Sequence, residues 1–407
     1  MLEFLIEKGL DINSTNKNGK TVLHQCCVKG NLYTCKYLVR TYPYLLNVVD
    51  NNGNNALHSA ACRGDIDLFV FLSEKGLDID STRNDGKNVL HICCMNGMID
   101  MCKYLVNTYP HLLVVKDKDG HNVLHDVAWS GNIDLLKFLL DKLDINSARN
   151  DGKTVLHLSC RNNKIDMCKY LINTYPQLLD VTDKPGQTAL HDAAFGGNID
   201  LLKFLLKKGL DITRTIYDGK TVLHLCCRKG KIDLCECLVK TYSQLPYAKD
   251  NNGHSALHDA ALGGNVDLIR FLLERGLDIN STRNDGKTVL HLCCMNSMTD
   301  MCKYLVKMYP LLLDVSDNDG ENVLHDAAWG GDIDILKFLL GKGLDINSTR
   351  NDGKIVLHQC CLNGKIDMCK YLVDAYPNLL DITDDSGNNA LHAAAWFGNI
   401  DLFLTSC

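Results

Sequence analysis

Residues 281–296 read STRNDGKTVLHLCCMN, and residues 81–96 read STRNDGKNVLHICCMN. Two stretches this alike in one chain point to tandem duplication of a single structural unit, not to unrelated domains. At their centre lies Val-Leu-His. Working outward, the tripeptide recurs as Val-Leu-His or Ala-Leu-His, with its histidine at His24, His58, His91, His125, His157, His191, His224, His258, His291, His325, His358 and His392. Successive histidines are 32–34 residues apart, and a glycine stands five residues before each, from Gly19 to Gly387. No linker or low-complexity stretch breaks the series, so one architecture covers the chain.

The unit can be built physically. Asp-Gly or Asn-Gly (Asp85-Gly86, Asn252-Gly253) is a tight-turn signal, because glycine adopts backbone angles that other residues avoid. Two residues later stands Thr, Asn or Ser in eleven of twelve units, with Ile355 the exception. These side chains accept hydrogen bonds from the free N–H groups of a helix start. A short helix is therefore expected from there, as over 22–28, with a weaker cap at Ile355. Glycine ends it in ten units, while Asn163 and Ser297 stand in for it in two. Asparagine tolerates a left-handed backbone well and serine less so. A second helix follows, with Asp in its first turn in eleven units (Asp67, Asp100, Asp134, Asp401), where negative charge suits the helix dipole. Ile133, Leu135, Leu136, Phe138, Leu139 and Leu140 give it one broad apolar face. Such a unit cannot bury that face alone, so neighbouring units must stack.

The pattern resembles the ankyrin repeat, a unit of about 33 residues with a Thr-Pro-Leu-His-x-Ala signature. Here it reads Thr221-Val222-Leu223-His224-Leu225-Cys226, or Asn322-Val323-Leu324-His325-Asp326-Ala327. One regular departure is Val or Ala in place of proline. The resemblance covers essentially the whole chain. It implies an all-α fold, an ankyrin-repeat α-solenoid of helix-turn-helix units with β-turn or hairpin loops, in a curved stack of about twelve repeats. It also implies protein–protein recognition without catalysis, and a structural role for each motif histidine as a bridge to neighbouring loop backbone.

The repeats alternate. Odd units carry Leu-His-x-Cys-Cys and end in Tyr-Pro-x-Leu-Leu; even units carry Leu-His-Asp-Ala-Ala and end in Lys-Gly-Leu-Asp-Ile-Asn, so the true period is a pair of about 67 residues. One pair lacks a glycine, as Lys142 runs directly into Leu143, and a local irregularity is expected there. The expected organisation is a partial repeat over 1–17, eleven tandem repeats over 18–385 and a truncated repeat over 386–407. Neither end shows the polar cap that solenoids use, so the chain reads as a piece of a longer repeat protein.

Composition narrows the function classes. A formal net charge of −6 gives no electrostatic reason to expect nucleic acid or an anionic membrane as partner. No apolar run approaches the roughly 20 residues that span a bilayer. The opening MLEFLIEKGLDIN holds Glu3, Glu7 and Asp11 where a signal peptide would be basic and then apolar. The expectation is a cytoplasmic or nuclear protein whose partners are other proteins, together with the flanking domains of any longer protein it comes from. No direct membrane insertion is expected.

Candidate chemistry is sparse. The chain has 20 cysteines, which fall at fixed repeat positions such as Cys26, Cys27 and Cys35, where even units have Ala-Ala and Leu or Ile. They read as small buried hydrophobes. A zinc site needs four convergent ligands, and no fourth is evident, so no metal and no cofactor are expected. The abundant unpaired thiols suit a reducing compartment. The Asp after the histidine (Asp126, Asp192, Asp259, Asp326) is expected to be solvated, and His111, His121 and His254, outside the motif, to be surface residues. The informative position lies four past each histidine: Val28, Cys62, Met95, Trp129, Arg161, Phe195, Arg228, Leu262, Met295, Trp329, Leu362 and Trp396. In the family this place faces the concave groove, and Trp, Met and Arg are the types enriched at interfaces. Met95, Trp129, Arg161, Phe195, Arg228, Leu262, Met295, Trp329 and Trp396 are the candidate contact residues; packing against the next repeat is the competing reading. Asn13, Asn146, Asn280 and Asn347 occupy loop positions where ankyrin repeats can be substrates for asparagine hydroxylation, with a plain loop asparagine as the alternative.

Overall fold

The computed structural model describes residues 2–397. Among them are twenty-four α-helices, six short 3-10 helices and no strand. The chain divides between Leu210 and Asp211 into two compact units. The first holds six helix pairs, from Val22–Lys29 with Leu32–Thr41 to Ala189–Gly196 with Ile199–Lys207, after a short helix over Leu2–Glu7. In the second, five pairs run from Val222–Arg228 with Ile232–Thr241 to Val356–Leu362 with Ile366–Ala375, followed by Ala390–Phe397. The truncated repeat expected over 386–407 lies partly, and Asp401 wholly, outside the described residues.

The caps form where side-chain chemistry requires them. Thr288 is the N-cap of Val289–Met295, with its hydroxyl 2.8 Å from Nδ1 of His291 and its N–H donating to the same nitrogen at 3.2 Å. Asn55 accepts from the His58 N–H at 3.1 Å. Ile355 has no side-chain acceptor, and only its backbone N–H reaches Nδ1 of His358. The left-handed closers also fall where expected. Gly30, Gly64, Gly97, Gly131, Gly197, Gly230, Gly264, Gly331 and Gly364 have positive φ, and so do Asn163 (57°) and Ser297 (55°).

Packing builds one core per unit. Leu23, Leu57, Leu90, Leu124, Leu156 and Leu190 from the first helices are fully buried in the first unit, as are Leu38, Leu72, Leu105, Leu139, Leu171 and Leu205 from the second helices. Each such side chain is worth roughly 1.5–3 kcal/mol of burial. After the second helix the two repeat types part. Odd repeats enter a 3-10 turn, such as Pro110–Val114 or Pro310–Asp314, whose proline needs no N–H partner in a first turn. Even repeats turn on a left-handed glycine, Gly76, Gly209, Gly276 or Gly343. At Lys142-Leu143 the loop lacks that residue, and both N–H groups bond to the Leu139 carbonyl at 3.0 Å. The expected irregularity is thus a loop one residue tighter.

Turn tips join neighbouring repeats through backbone bonds, supplemented by asparagine side-chain amides such as Asn84 Nδ2 to the Asn51 carbonyl at 3.1 Å. In the first unit Asn51 N–H donates to Asn18 O, Asn84 to Asn52, Lys118 to Asp85, Asn150 to Asp119 and Lys184 to Asp151, at 2.8–3.0 Å. In the second, Asn284 to Asn252 and Asn351 to Asp319 repeat the pattern at 3.0 and 2.9 Å. The glycine beside each tip is required by close approach as well as by φ: a Cβ on Gly53 would sit 2.8 Å from the Asn84 backbone nitrogen.

Candidate partner-binding face

In nine of the twelve repeats the first helix buries the three residues after its histidine and then releases the fourth; Gln25, Leu225 and Ala395 break the rule in the other three. Asp126, Val127 and Ala128 are buried while Trp129 is 55% exposed. The same step occurs at Trp329 (38%), and Arg228 is also exposed; Trp396 (87%) follows an exposed Ala395 in the last described helix. Val28, Cys62, Met95, Arg161, Phe195, Leu262, Met295 and Leu362 are partly exposed. No residue of this row is fully buried. The helix repeat explains the step, since each residue advances about 100° around the axis and the fourth turns off the packed side.

In the first unit part of the row converges. Met95, Trp129, Arg161 and Phe195 line one groove of about 660 Å3, whose walls also carry Asp126 and Arg149. The Arg161 guanidinium lies 3.9 Å from the centre of the Phe195 ring and 3.4 Å from Asp192. In the second unit Leu362 and Trp396 line a smaller hollow of about 390 Å3, Arg228 reaches Asp259 at 3.4 Å, and Lys365 covers the Trp329 ring at 6.0 Å. An aromatic surface edged by fixed cations can accept both apolar anchors and carboxylates.

The floor of this face differs from the sequence expectation. Asp126, Asp192, Asp259 and Asp326 are not solvated; they are at most 4% exposed. Lys87 reaches from the preceding repeat to Asp126 at 2.8 Å and to Asp117 at 2.8 Å. Lys153 does the same with Asp192 (2.7 Å) and Asp183 (2.8 Å), and Lys287 with Asp326 (2.7 Å), Asp317 (2.9 Å) and Glu321 (2.6 Å). Burial pushes the carboxyls of Asp126, Asp259 and Asp326 up to about 7, against the pull of these cations. These lysines were missed. The available signal was complementarity, as Lys precedes the motif in odd units while Asp follows the histidine in even ones.

The motif histidines sit in the helix caps, each with Nδ1 facing the N–H of its cap residue, as in Thr21 to His24 at 3.3 Å. Where Nε2 faces a carbonyl it carries the proton and leaves Nδ1 to accept the cap residue's N–H; at His58 and His325 the amide oxygens of Asn55 and Asn322, which only accept, lie 2.7 and 2.8 Å from Nδ1 and place the proton there. In six repeats Nε2 donates to a carbonyl of the next turn: His24 to Asn54 (2.8 Å), His91 to His121 (3.3 Å), His157 to Gln187 (3.2 Å), His224 to His254 (3.0 Å), His291 to Glu321 (3.3 Å) and His358 to Asn388 (3.0 Å). The bridge is not uniform, however. Nε2 of His58, His125, His258 and His325 is buried outside hydrogen-bond geometry. His191 is buried and His392 exposed. Burial first, then nearby cations or histidines, lowers His58, His91 and His291 to about 4, and His125 to about 3. All four are therefore neutral at pH 7.

Two histidines outside the motif also depart from expectation. His111 is exposed and pairs with Asp80, but His121 is half-buried with Nδ1 2.8 Å from Asp117, and His254 is buried 3.3 Å from Asp250. Each directly follows a left-handed glycine, Gly120 or Gly253, where the turn folds the chain back over its own aspartate. Asn13, Asn146, Asn280 and Asn347 are exposed, each donating its N–H to the aspartate two residues earlier at 2.9 Å. Every cysteine among the described residues is a free thiol, and most are buried. Cys407 lies outside them. None of the described helices is long and apolar enough to cross a membrane.

Comparison with known proteins fits this geometry. A sequence model of the family described as ankyrin repeats (3 copies) matches residues 1–83, 60–149, 142–216, 211–283, 276–350 and 342–405. Among curated proteins, a homolog of transient receptor potential cation channel subfamily A member 1 from Caenorhabditis elegans is 29% identical over 159 residues, 39% of this chain and 13% of that protein. The E3 ubiquitin-protein ligase KEG of Arabidopsis thaliana is 29% identical over 147 residues, 35% of this chain and 9% of the ligase. Neurogenic locus notch homolog protein 1 of Danio rerio is 31% identical over 148 residues, 36% of this chain and 6% of that protein. Each match thus spans a small part of a much longer relative.

Proposed function

The chain belongs to the ankyrin-repeat family, and from that premise we propose that it is a non-enzymatic protein–protein interaction scaffold or adaptor, binding partners through the concave groove of its repeats. Ankyrin repeats are a protein-interaction motif. The observation that supports the groove is the row four past each histidine, where Trp129 and Trp329 stand out from buried surroundings and Trp396 is exposed. Large rigid side chains anchor interfaces at low entropic cost, and a surface held by buried ion pairs and turn-tip bonds is preorganised. Partners are other proteins, and the compartment is the cytoplasm or nucleus. Exposed Asn13, Asn146, Asn280 and Asn347 are accessible positions for hydroxylation. The test selects a binder from a displayed protein library on the wild-type chain and measures it again on Trp129→Ala/Trp329→Ala/Trp396→Ala. With folding intact, a loss of about tenfold or more per anchoring tryptophan is expected; unchanged affinity places the contact elsewhere.

A second reading is a regulatory or anchoring segment of a larger multidomain enzyme or channel. Its support is that the matched relatives include a channel and a ligase in which the matched region is 13% and 9% of the whole. Coding sequence on either side decides between them: an adjoining catalytic or membrane domain supports the second reading.

A further inference from the structure

Cysteine fills small core positions in the odd repeats, but one group does more than fill space. Cys360 and Cys361 sit on the helix Val356–Leu362, and Cys369 on Ile366–Ala375. The Cys369 sulfur lies 2.9 Å from that of Cys360 and 3.6 Å from that of Cys361, and all three lie within 4.8 Å of one another. All are at most 5% exposed. Among the described residues this is the one group of three such ligand atoms. Equivalent repeats keep only part of it. Cys94 and Cys102 are 3.7 Å apart, but the Cys93 thiol turns to the Ala61 carbonyl at 3.4 Å.

Bonds of about 2.3 Å to sulfur around a pyramidal three-coordinate ion, with angles of about 95°, place the sulfurs about 3.4 Å apart, within the range seen here. No fourth donor joins the group, which leaves tetrahedral zinc incomplete. Beside the sulfurs lies a cavity of about 280 Å3, lined by Leu357, Cys361, Cys369 and Ala394 and at its polar side by Lys370 and Asp374, a route for a small solute. Charge then selects the ion. Three thiolates on a monovalent or divalent ion leave net negative charge in an apolar site, which is costly. A trivalent soft ion leaves none.

We propose that Cys360, Cys361 and Cys369 form a three-sulfur site for a soft trivalent ion delivered as arsenous acid. One As(OH)3 reacts with three thiols, three As–S bonds replace three As–O bonds, and the thiol protons leave with the hydroxyls as three waters. No electron is transferred and the product is neutral.

The even repeats supply a fold-preserving control, since Ala327, Ala328 and Leu336 occupy the same three positions and are fully buried. The full chain, reduced and free of small thiols, is titrated with arsenous acid, following sulfur-to-arsenic absorption and bound arsenic by mass. Compared with wild type, Cys360→Ala/Cys361→Ala/Cys369→Leu is expected to lose one equivalent of tightly bound arsenic. Cys93→Ala/Cys94→Ala/Cys102→Leu is expected to lose none. Circular dichroism confirms folding, and if the first triple variant does not fold, Cys361→Ala alone is expected to lose the same equivalent. Uptake unchanged in a folded Cys360-group variant, or lost equally from both triple variants, overturns the assignment.

Discussion

Lys287 Nζ lies 2.7 Å from Asp326 Oδ1 in the following repeat, with the lysine side chain 9% and the aspartate 1% exposed. The same lysine touches Asp317 and Glu321, so one cation ties a turn and a helix of the next repeat to its own turn. Removing one partner of a buried pair leaves the other charge unpaired, at a cost of about 3–5 kcal/mol. Lys287→Met is therefore expected to lower stability by about that much in urea unfolding, and Lys287→Met/Asp326→Leu to recover part of it. Equal losses in the single and double variants would contradict the pairing.

Stability should fall on acidification. His58, His91 and His291 are lowered to about 4, and His125 and His258 to about 3, chiefly by burial. Their unfolded value is about 6.5, so the stability they contribute is complete above that pH and is lost as pH falls toward 4. Asp126, Asp259 and Asp326, raised by burial to about 7, act in the opposite sense, because protonation between pH 7 and 4 favours the folded chain. Five histidines outweigh three carboxyls, so the thermal midpoint is expected to drop from pH 7 to pH 5. Asp126→Asn/Asp326→Asn should steepen that drop. A flat or rising wild-type profile contradicts the assignment.

The cap at Thr288 holds His291 through both its hydroxyl and its N–H. Thr288→Val keeps the shape and removes the hydroxyl, and should cost about 1 kcal/mol. No loss in chemical denaturation would mean that the valine shape alone suffices, as at Ile355.

Ser297 carries φ of 55° where ten other repeats place glycine. A left-handed backbone costs roughly 1–2 kcal/mol for a residue with a Cβ, so Ser297→Gly should stabilise the second unit. Asn163→Gly should gain less, because asparagine tolerates that region. A Ser297→Gly variant less stable than wild type would contradict this.

Much of the fold was legible because its determinants are local. The glycine five before the histidine, the Thr or Asn cap and the closing glycine all act within a few residues, and even the substitutes Asn163 and Ser297 took the expected backbone. What escaped depends on the neighbouring repeat. Asp126 looks solvated from its own helix, and only Lys87, thirty-nine residues earlier, makes its burial tolerable. His254 looked like a surface residue, but the turn folds it over Asp250 and buries it. The candidate face was legible as a position, since helix geometry alone turns the fourth residue outward. The convergence of Met95, Trp129, Arg161 and Phe195 into one groove depends on how repeats stack, which no single repeat encodes.

The three tryptophans of the chain, Trp129, Trp329 and Trp396, all lie on the proposed contact row, so their fluorescence reports on that row alone. The most direct measurement titrates a tryptophan-free partner into the wild-type chain and follows acrylamide quenching of the emission. The account predicts that emission shifts to shorter wavelength and quenching falls in step with binding. Saturated binding with all three tryptophans as accessible as in the free chain would contradict it.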